Sequence, residues 1–579
     1  MAQSTTWRQR RIQSMHRYHA RRAARSKIAT RFVSPPEPNS IGVVEKGQQL
    51  VAGKFLFSGL YLEDPSISIW DIAPDNHNVR DELQGCTWLD DLAAFGDETA
   101  RLRAQDWVFD WIARFGNGRG EGWTPGITGR RVMRWINHGH LLLRGQDKDA
   151  SAQFFQSLAR QTLFLGRRWQ ASAPGLRRFE ALAGTIYAGL SLEGLADQTG
   201  PALTALSDDC ETHVDEGGAI TTRNPEELLE ILSLLNWTVQ ALAAAGQDVP
   251  APITHAIERI APVLRALRHA DANLARFHGG GAGIDGRLDH ALAASGVRDA
   301  PDNGLHMGFA RLTGGRTTLI ADAAAPPGGA ASADGHASTL AFELTSGRRP
   351  LIVNCGSGAR FGAKWRRASR ATPSHSTTMI EGVSSSHLAH MRFGKELLTA
   401  RPDVVRGNVI ANAEGRRLEM SHNGYQASHG LTHGRILQMS VDGRSLDGDD
   451  ILATLDDRDK AVFDRAKAQT GLRGIPFALR FHLHADVETS QDKNGQTIAM
   501  RLKSGEVWVL RHDGQAELRL LPSVYLQNGR LVPRPAQQVV LSGSAMAYAT
   551  RVRWSLAKAR DTPDVVRDFV QADPMEFDT

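Results

Sequence analysis

The chain has 579 residues, 41% hydrophobic and 23% charged, the balance of a globular protein with a full core. Its mean hydropathy of −0.31 and the lack of any run of about 18 apolar residues exclude a membrane-spanning helix, and Cys86, Cys210 and Cys355 are too few and scattered for a disulfide framework or a cysteine-built zinc site. Lys and Arg number 68 against 63 Asp and Glu, but nine bases and no acid fall in residues 1–36, leaving 59 bases against 63 acids; a basic segment leads a mildly acidic body, which by bulk charge is not a nucleic-acid binder.

In chain order, residues 1–40 read as a basic, flexible leader. WRQRRIQSMHRYHARRAARSKIATRF (7–32) suits an amphipathic helix with a strongly basic face, and it lacks the stretch of about 7–15 apolar residues of a secretory signal. SPPEPNS (34–40) ends any helix, because consecutive prolines break it. Residues 1–36 therefore read as a solvated tail or one lying on an anionic membrane surface, as an arm touching RNA or phosphate, or as sequence ahead of the true start. The missing export signal points to the cytoplasm.

Residues 41–278 carry a helical period. Apolar residues recur at three- and four-residue spacing from Thr87 to Gly116, then in blocks at 130–143, 150–169, 177–192, 225–246 and 251–270, with short Gly, Pro or Asp breaks that suit antiparallel helix pairs. After GGGAGIDG (279–286) the texture changes to short alternating runs rich in β-branched residues, such as STLAFELTSG, RPLIVNCG and AMAYATRVRWSL. Turn residues separate these runs every eight to twelve positions or so, the pattern of an antiparallel β-sandwich. Residues 279–579 are expected to form that sandwich.

Five segments in this order resemble the heparinase II/III-like family of polysaccharide lyases, over roughly residues 50–570. DGHASTLAFELTSGRRPLIVNCGSG (334–358) is similar to the family's His-x-Asp motif, its Phe-Glu-Leu strand and the strand end that follows. RASRATPSHSTTMIEG (367–382) is similar to its Arg-Ser-Thr-x-x-His-Asn-Thr-Leu segment, and HNGYQASHGLTHGR (422–435) to its His-Asp-Gly-Tyr element. WTPGITGRRVMRWIN (123–137) and GGAITTRNPEELLEIL (217–232) echo its cleft-lining helices. The resemblance implies an incomplete (α/α) toroid followed by a large antiparallel β-sandwich, and β-elimination on a uronic-acid polysaccharide.

That chemistry removes the uronate C5 proton and expels the O4 sugar. It needs a neutralised carboxylate, a base and an acid. The resemblance places carboxylate binding at Arg223 and Asn224; capping of the following helix by Asn224 is the alternative. It sets Phe277 and His278 where the family has its catalytic tyrosine, so His278, or Tyr425 in the HNGY element, becomes the candidate base and acid. Asp334 stands where family lyases carry a further histidine, and it is a weak base. His336 and His375 match the family's histidines, with Asn354 in place of the acid at the strand end. In metal-binding members these three positions hold zinc, but Asn is a poor zinc ligand unless His387 or His390 joins. No cofactor is required, and structural hydrogen bonding by the two histidines is the alternative. Arg131, Trp135 and Arg370 are candidate sugar contacts, each of which has an ordinary core or surface reading.

Two functions compete. One is a lyase acting on an acidic polysaccharide, which the resemblance would place in the periplasm or cell envelope. The other is a diverged glycan-binding or cell-envelope protein that keeps the fold, favoured by Asp334, Asn354 and the absent tyrosine.

Overall fold

The computed structural model describes residues 7–28, 30–34, 37–73, 77–300, 304–380, 382–390, 396–471 and 473–559. The first half is helical. Helices Pro125–Asn137, Lys148–Arg168, Leu176–Ser191, Thr199–His213, Pro225–Ala244 and Ala251–Ala266 pack around one apolar core, 176–191 against the four helices 125–137, 148–168, 199–213 and 225–244, and 251–266 against the last two of these. Helix starts follow local chemistry: Asp97 accepts the Ala100 N–H at 2.6 Å and Asp147 that of Ala150 at 2.8 Å, satisfying orphaned first-turn donors. The long periodic stretch after Thr87 is two helices, Trp88–Phe95 and Glu98–Phe115, because Gly96 ends the first in the left-handed region and Asp97 starts the second. Helices 125–137 and 176–191 cross at Gly129 and Gly184. A Cβ on Gly184 would lie 2.5 Å from the Cα of Gly129, so only glycine permits this approach.

The basic segment is seated rather than free. Helix Trp7–Ala24 lies on helix 148–168 with His16, Ala20 and Ala23 buried, and Arg168 Nε donates to His16 Nδ1 at 3.2 Å. The small and apolar residues on one stripe of this helix give it a packing face that charge counting hides. Residues 1–6, Ala29, Pro35 and Pro36 of the expected leader lie outside the described residues. No described helix is long and apolar enough to cross a membrane.

The helical core also runs past residue 278. Helix Arg287–Ala294 contributes Leu288, Ala291 and Leu292 to it, and Met307, Phe309 and Ile320 of the first β-hairpin join it.

The second half is built on two large antiparallel sheets, of eight and nine strands, with a separate two-stranded sheet of His387–His390 and Glu396–Ala400. In the eight-stranded sheet, strand Leu431–Ser440 alternates buried and half-buried residues along its whole length, as a strand with one covered face must. In the other, Thr317–Asp322 and Phe342–Ser346 are buried on both faces, one against the partner sheet and the other toward the helical half. Phe342 stacks on Trp554 of the opposite sheet with centroids 6.0 Å apart. Helix Asp457–Gln469 interrupts the strands, an element the alternation alone does not announce. Toroid-type helices followed by a sandwich, the arrangement expected, is what the chain forms.

Candidate functional site

The candidate residues gather where the chain leaves the helical half. His278 lies at φ +48°, buried, and its Nδ1 accepts the backbone N–H of His336 at 3.2 Å. His336 Nδ1 is 3.0 Å from His375 Nε2, and His375 Nδ1 is 2.9 Å from the carbonyl oxygen of Ala371. A carbonyl only accepts, so His375 carries its proton on Nδ1, its Nε2 accepts, and His336 donates from Nδ1. The chain of bonds fixes both tautomers. Burial lowers all three imidazole pKa values. His278 is pushed down further by Arg223 and His375, and His336 by His375 and His278, while His375 falls to about 4. All three are neutral at pH 7.

Beneath them Asp322, fully buried at a strand end, accepts from Arg223 Nη2 at 2.7 Å and from the Ser338 hydroxyl at 2.7 Å, and stands 3.5 Å from His278 Nε2. Arg223 also donates to the carbonyl oxygens of Met307, Gly308, Ala324 and Ala325, and its guanidinium lies over the Phe309 ring, 4.6 Å from the centroid. Gly308 makes room for it, since a Cβ there would lie 2.8 Å from Nη2. All three guanidinium nitrogens have acceptors, so the carboxylate-binding role expected of Arg223 gives way to a clamp between the halves. Asn224 Oδ1 caps helix 225–244 through the N–H groups of Glu226 and Glu227, at 3.0 and 3.2 Å.

Asp334 is exposed beside this cluster and pairs with Arg366 at 2.9 Å. Arg370, expected at the sugar, is buried and donates to the carbonyl oxygens of Gly335 and Ser332 at 2.9 and 2.8 Å; it holds the turn that carries Asp334 and His336. Asn354 accepts the Ser376 N–H at 3.0 Å and donates to Glu343 at 3.4 Å. Its amide is thereby committed away from the histidine pair, so the expected zinc trio does not fit as a donor set. Among the described residues no three His, Cys, Asp or Glu side chains group to hold a metal. His387 is exposed, and the side chain of His390 lies outside the described residues.

Three candidates lie elsewhere. Tyr425 is buried in the sandwich core, donating to the Thr378 carbonyl oxygen at 3.0 Å, and burial raises its phenol pKa. Arg131, buried under the Trp111 ring at 4.0 Å, donates to Gln161 and to the carbonyl oxygen of Gln84 at 2.7 Å each; burial lowers its pKa to about 10. Trp135 is buried against Phe154, 5.7 Å away. Apolar neighbours at helical spacing make both of these helix residues core, not a sugar platform.

The helical wall brings what the candidate search missed. Arg134 binds Asp90 at 2.7 Å, Arg177 binds Asp81 at 2.7 Å and Glu180 at 3.3 Å, and Arg287 binds Glu230 at 2.7 Å, while Arg130 also pairs with Glu180. Burial raises the Glu227 carboxyl, with Asp334 and Glu180 adding to it. Burial lowers the imidazole pKa of His77, at the start of helix His77–Gln84, with Asp81 opposing and Arg80 and Arg366 adding to the fall. The signal was present as charges inside apolar helical runs, Arg130 and Arg134 one turn apart, Glu180 among alanines. The wall is thus paired and close to charge balance, four arginines against Asp81, Asp90, Glu180 and Glu230, with Glu227 beside them.

Residues 297–555 match the family model described as Heparinase II/III-like, C-terminal. FtsZ-localized protein C of Caulobacter vibrioides (strain NA1000 / CB15N) is 30% identical over 547 residues, covering 91% of this chain and 90% of that protein. Of solved structures, heparinase III superposes with a TM-score of 0.67 at 14% identity, over 94% of this chain and 90% of that one. A mutant of heparan sulfate lyase HepC from Pedobacter heparinus gives 0.57 at 14%, over 95% and 89%. At such identity these two likenesses speak for the fold alone.

Proposed function

The chain belongs to the heparinase II/III-like family, and we propose that it keeps the lyase fold without β-elimination chemistry, acting as a non-catalytic protein at FtsZ with its basic helix laid on an anionic lipid surface. One observation carries the first part: His278, His336 and His375 are buried, neutral and bonded to one another or to backbone. A C5 proton must reach its base directly or through one water; here the tyrosine is in the core, the arginine is spent, and the exposed acid is ion-paired. β-elimination on a uronic-acid polysaccharide, the activity implied by the resemblance, is the reading this displaces.

The location rests on the relative whose name places it at FtsZ, matched over nine-tenths of both chains. For the helix, His16, Ala20 and Ala23 face inward, while Arg8, Arg11, Arg17, Arg21 and Arg22 point outward among exposed Trp7, Ile12, Met15 and Tyr18. Bases interleaved with exposed aromatic and apolar side chains are the composition of an interfacial helix.

Absorbance at the unsaturated-uronate band, over heparan, chondroitin, alginate and bacterial exopolysaccharides, tests the silence. No rise is expected, and a rise abolished by His278→Ala would restore the lyase. Co-sedimentation with phosphatidylglycerol vesicles is expected for the full chain and lost on changing Trp7, Arg8, Arg11 and Tyr18 to Ala; RNA binding in place of vesicle binding would overturn the lipid assignment. Binding to purified FtsZ, measured by fluorescence anisotropy, tests the location.

A further inference from the structure

Outside the junction, a crevice of about 800 Å³ opens between the end of the helical half and the first β-hairpin of the sandwich. Arg265, Arg268, Arg298, Arg311 and Arg316 line it with His269, against one carboxylate, Asp289. We propose that this crevice is a binding site for a small molecule carrying clustered phosphate groups.

Among the described residues that one carboxylate does not balance Arg265, Arg298 and Arg311, none of which has a carboxylate partner there. Asp289 is taken by Arg268 at 2.8 Å. Arg311 has no carboxylate among the described residues; its Nη1 donates to the carbonyl oxygens of Ala266 and Arg268. Burial lowers its pKa to about 10, and the neighbouring charges of Arg268 and Arg416 push the same way. A half-buried guanidinium held among like charges is costly without a counter-ion. His269 gives its Nε2–H to the Glu343 carboxylate at 3.3 Å, while Arg268 Nε is buried without a partner among the described residues, so a donor remains unspent at the crevice wall. Such groups normally find partners.

The chemistry selects the ligand. Guanidinium forks bind phosphate oxygens in pairs, and one phosphate would occupy only two of them. Five arginines from a helix end, the turn after a second helix, and one strand and the turn of a hairpin surround a volume suited to several linked oxyanions. The basic helix offers charge without enclosure. The crevice offers both.

Tripolyphosphate is the probe, added to the full chain at an ionic strength of about 0.15 M, where exposed charges are screened beyond about 8 Å. Calorimetric titration is expected to give saturable binding of one molecule per chain, with inorganic phosphate more than tenfold weaker. Arg298→Ala with Arg316→Ala, both at exposed positions and checked for folding by circular dichroism, should weaken tripolyphosphate at least tenfold. Arg8→Ala with Arg11→Ala should leave it unchanged. Unsaturable binding, an effect reproduced by added KCl, or a loss caused by the helix pair instead of the crevice pair would overturn the site.

Discussion

The inner wall of the helical half and the domain junction both bury ionisable groups, by opposite means. The wall pairs them: Arg134 with Asp90, Arg177 with Asp81, Arg130 with Glu180, Arg287 with Glu230. The junction neutralises them: three histidines stripped of protons by burial, over one carboxylate whose charge is met by Arg223. Either way these ion pairs and these three histidines keep one protonation state near neutral pH. A catalytic acid–base pair needs a group poised near the working pH and open to substrate. The two regions hold the halves of the molecule together with residue types that, in an open cleft, would serve catalysis.

The comparison breaks first at Asp322. Asp322→Ala leaves the Arg223 guanidinium buried without its counter-charge and removes the partner of Ser338, and should cost about 3–5 kcal/mol in urea denaturation. Glu180→Gln on the helical wall should cost less, about 1–3 kcal/mol, because it keeps an acceptor and the Arg130 side chain is 19% exposed. Equal losses would mean that the two regions bury charge alike.

Acid probes the junction from the other side. Burial lowers His375 and His482 to about 4, and the bond from His482 Nε2 to the Pro373 carbonyl oxygen, at 2.8 Å, only partly opposes this. The folded protein therefore binds fewer protons than the unfolded chain, so stability is full above about pH 6.5 and falls as pH drops toward 4. Between pH 7.5 and 5 each should account for about 2 kcal/mol of lost stability, seen as a falling denaturation midpoint. His482→Gln should flatten that slope. An unchanged midpoint would place charged, paired histidines at the junction, like those of an open site.

Tyr425→Phe separates packing from chemistry. The lost hydroxyl leaves the Thr378 carbonyl unpaired in the sandwich core, for about 1 kcal/mol. Guanidine melts should detect that loss, and co-sedimentation with phosphatidylglycerol vesicles should not move.

Much of the fold was legible because it rests on local pattern. The alternation along 431–440 and the apolar stripe of 225–244 are written in consecutive residues, whereas the break at Gly96 and Asp97 is hidden inside a continuous apolar period. The order of five motifs also led to His278, His336 and His375, which the chain does bring together. Their burial was not legible, because it comes from partners far along the chain: Arg223 meets Asp322 across 99 residues and His278 meets His336 across 58. Nothing local to TTRNPEE tells that Arg223 turns into the sandwich and not toward the cleft. The leader misled for the same reason. Nine bases suggest a solvated tail, whereas Ala20 and Ala23 dock it.

The smallest effect is expected at the most exposed candidate. The Asp334 side chain is 64% exposed and its pair with Arg366 lies at the surface, where such ion pairs contribute about 0–1 kcal/mol. Asp334→Ala should therefore shift the denaturation midpoint by less than 1 kcal/mol equivalent. It should also relieve Glu227, whose carboxyl Asp334 helps to raise, so that Glu227 titrates lower in a carbon-detected NMR pH series. That second readout decides between a solvated side chain and one facing the helical wall: a loss of stability well above 1 kcal/mol with Glu227 unmoved would place Asp334 in the packed junction beside His336. A small loss with Glu227 shifted down keeps Asp334 on the cleft rim, the one junction candidate still open to solvent and already engaged by Arg366.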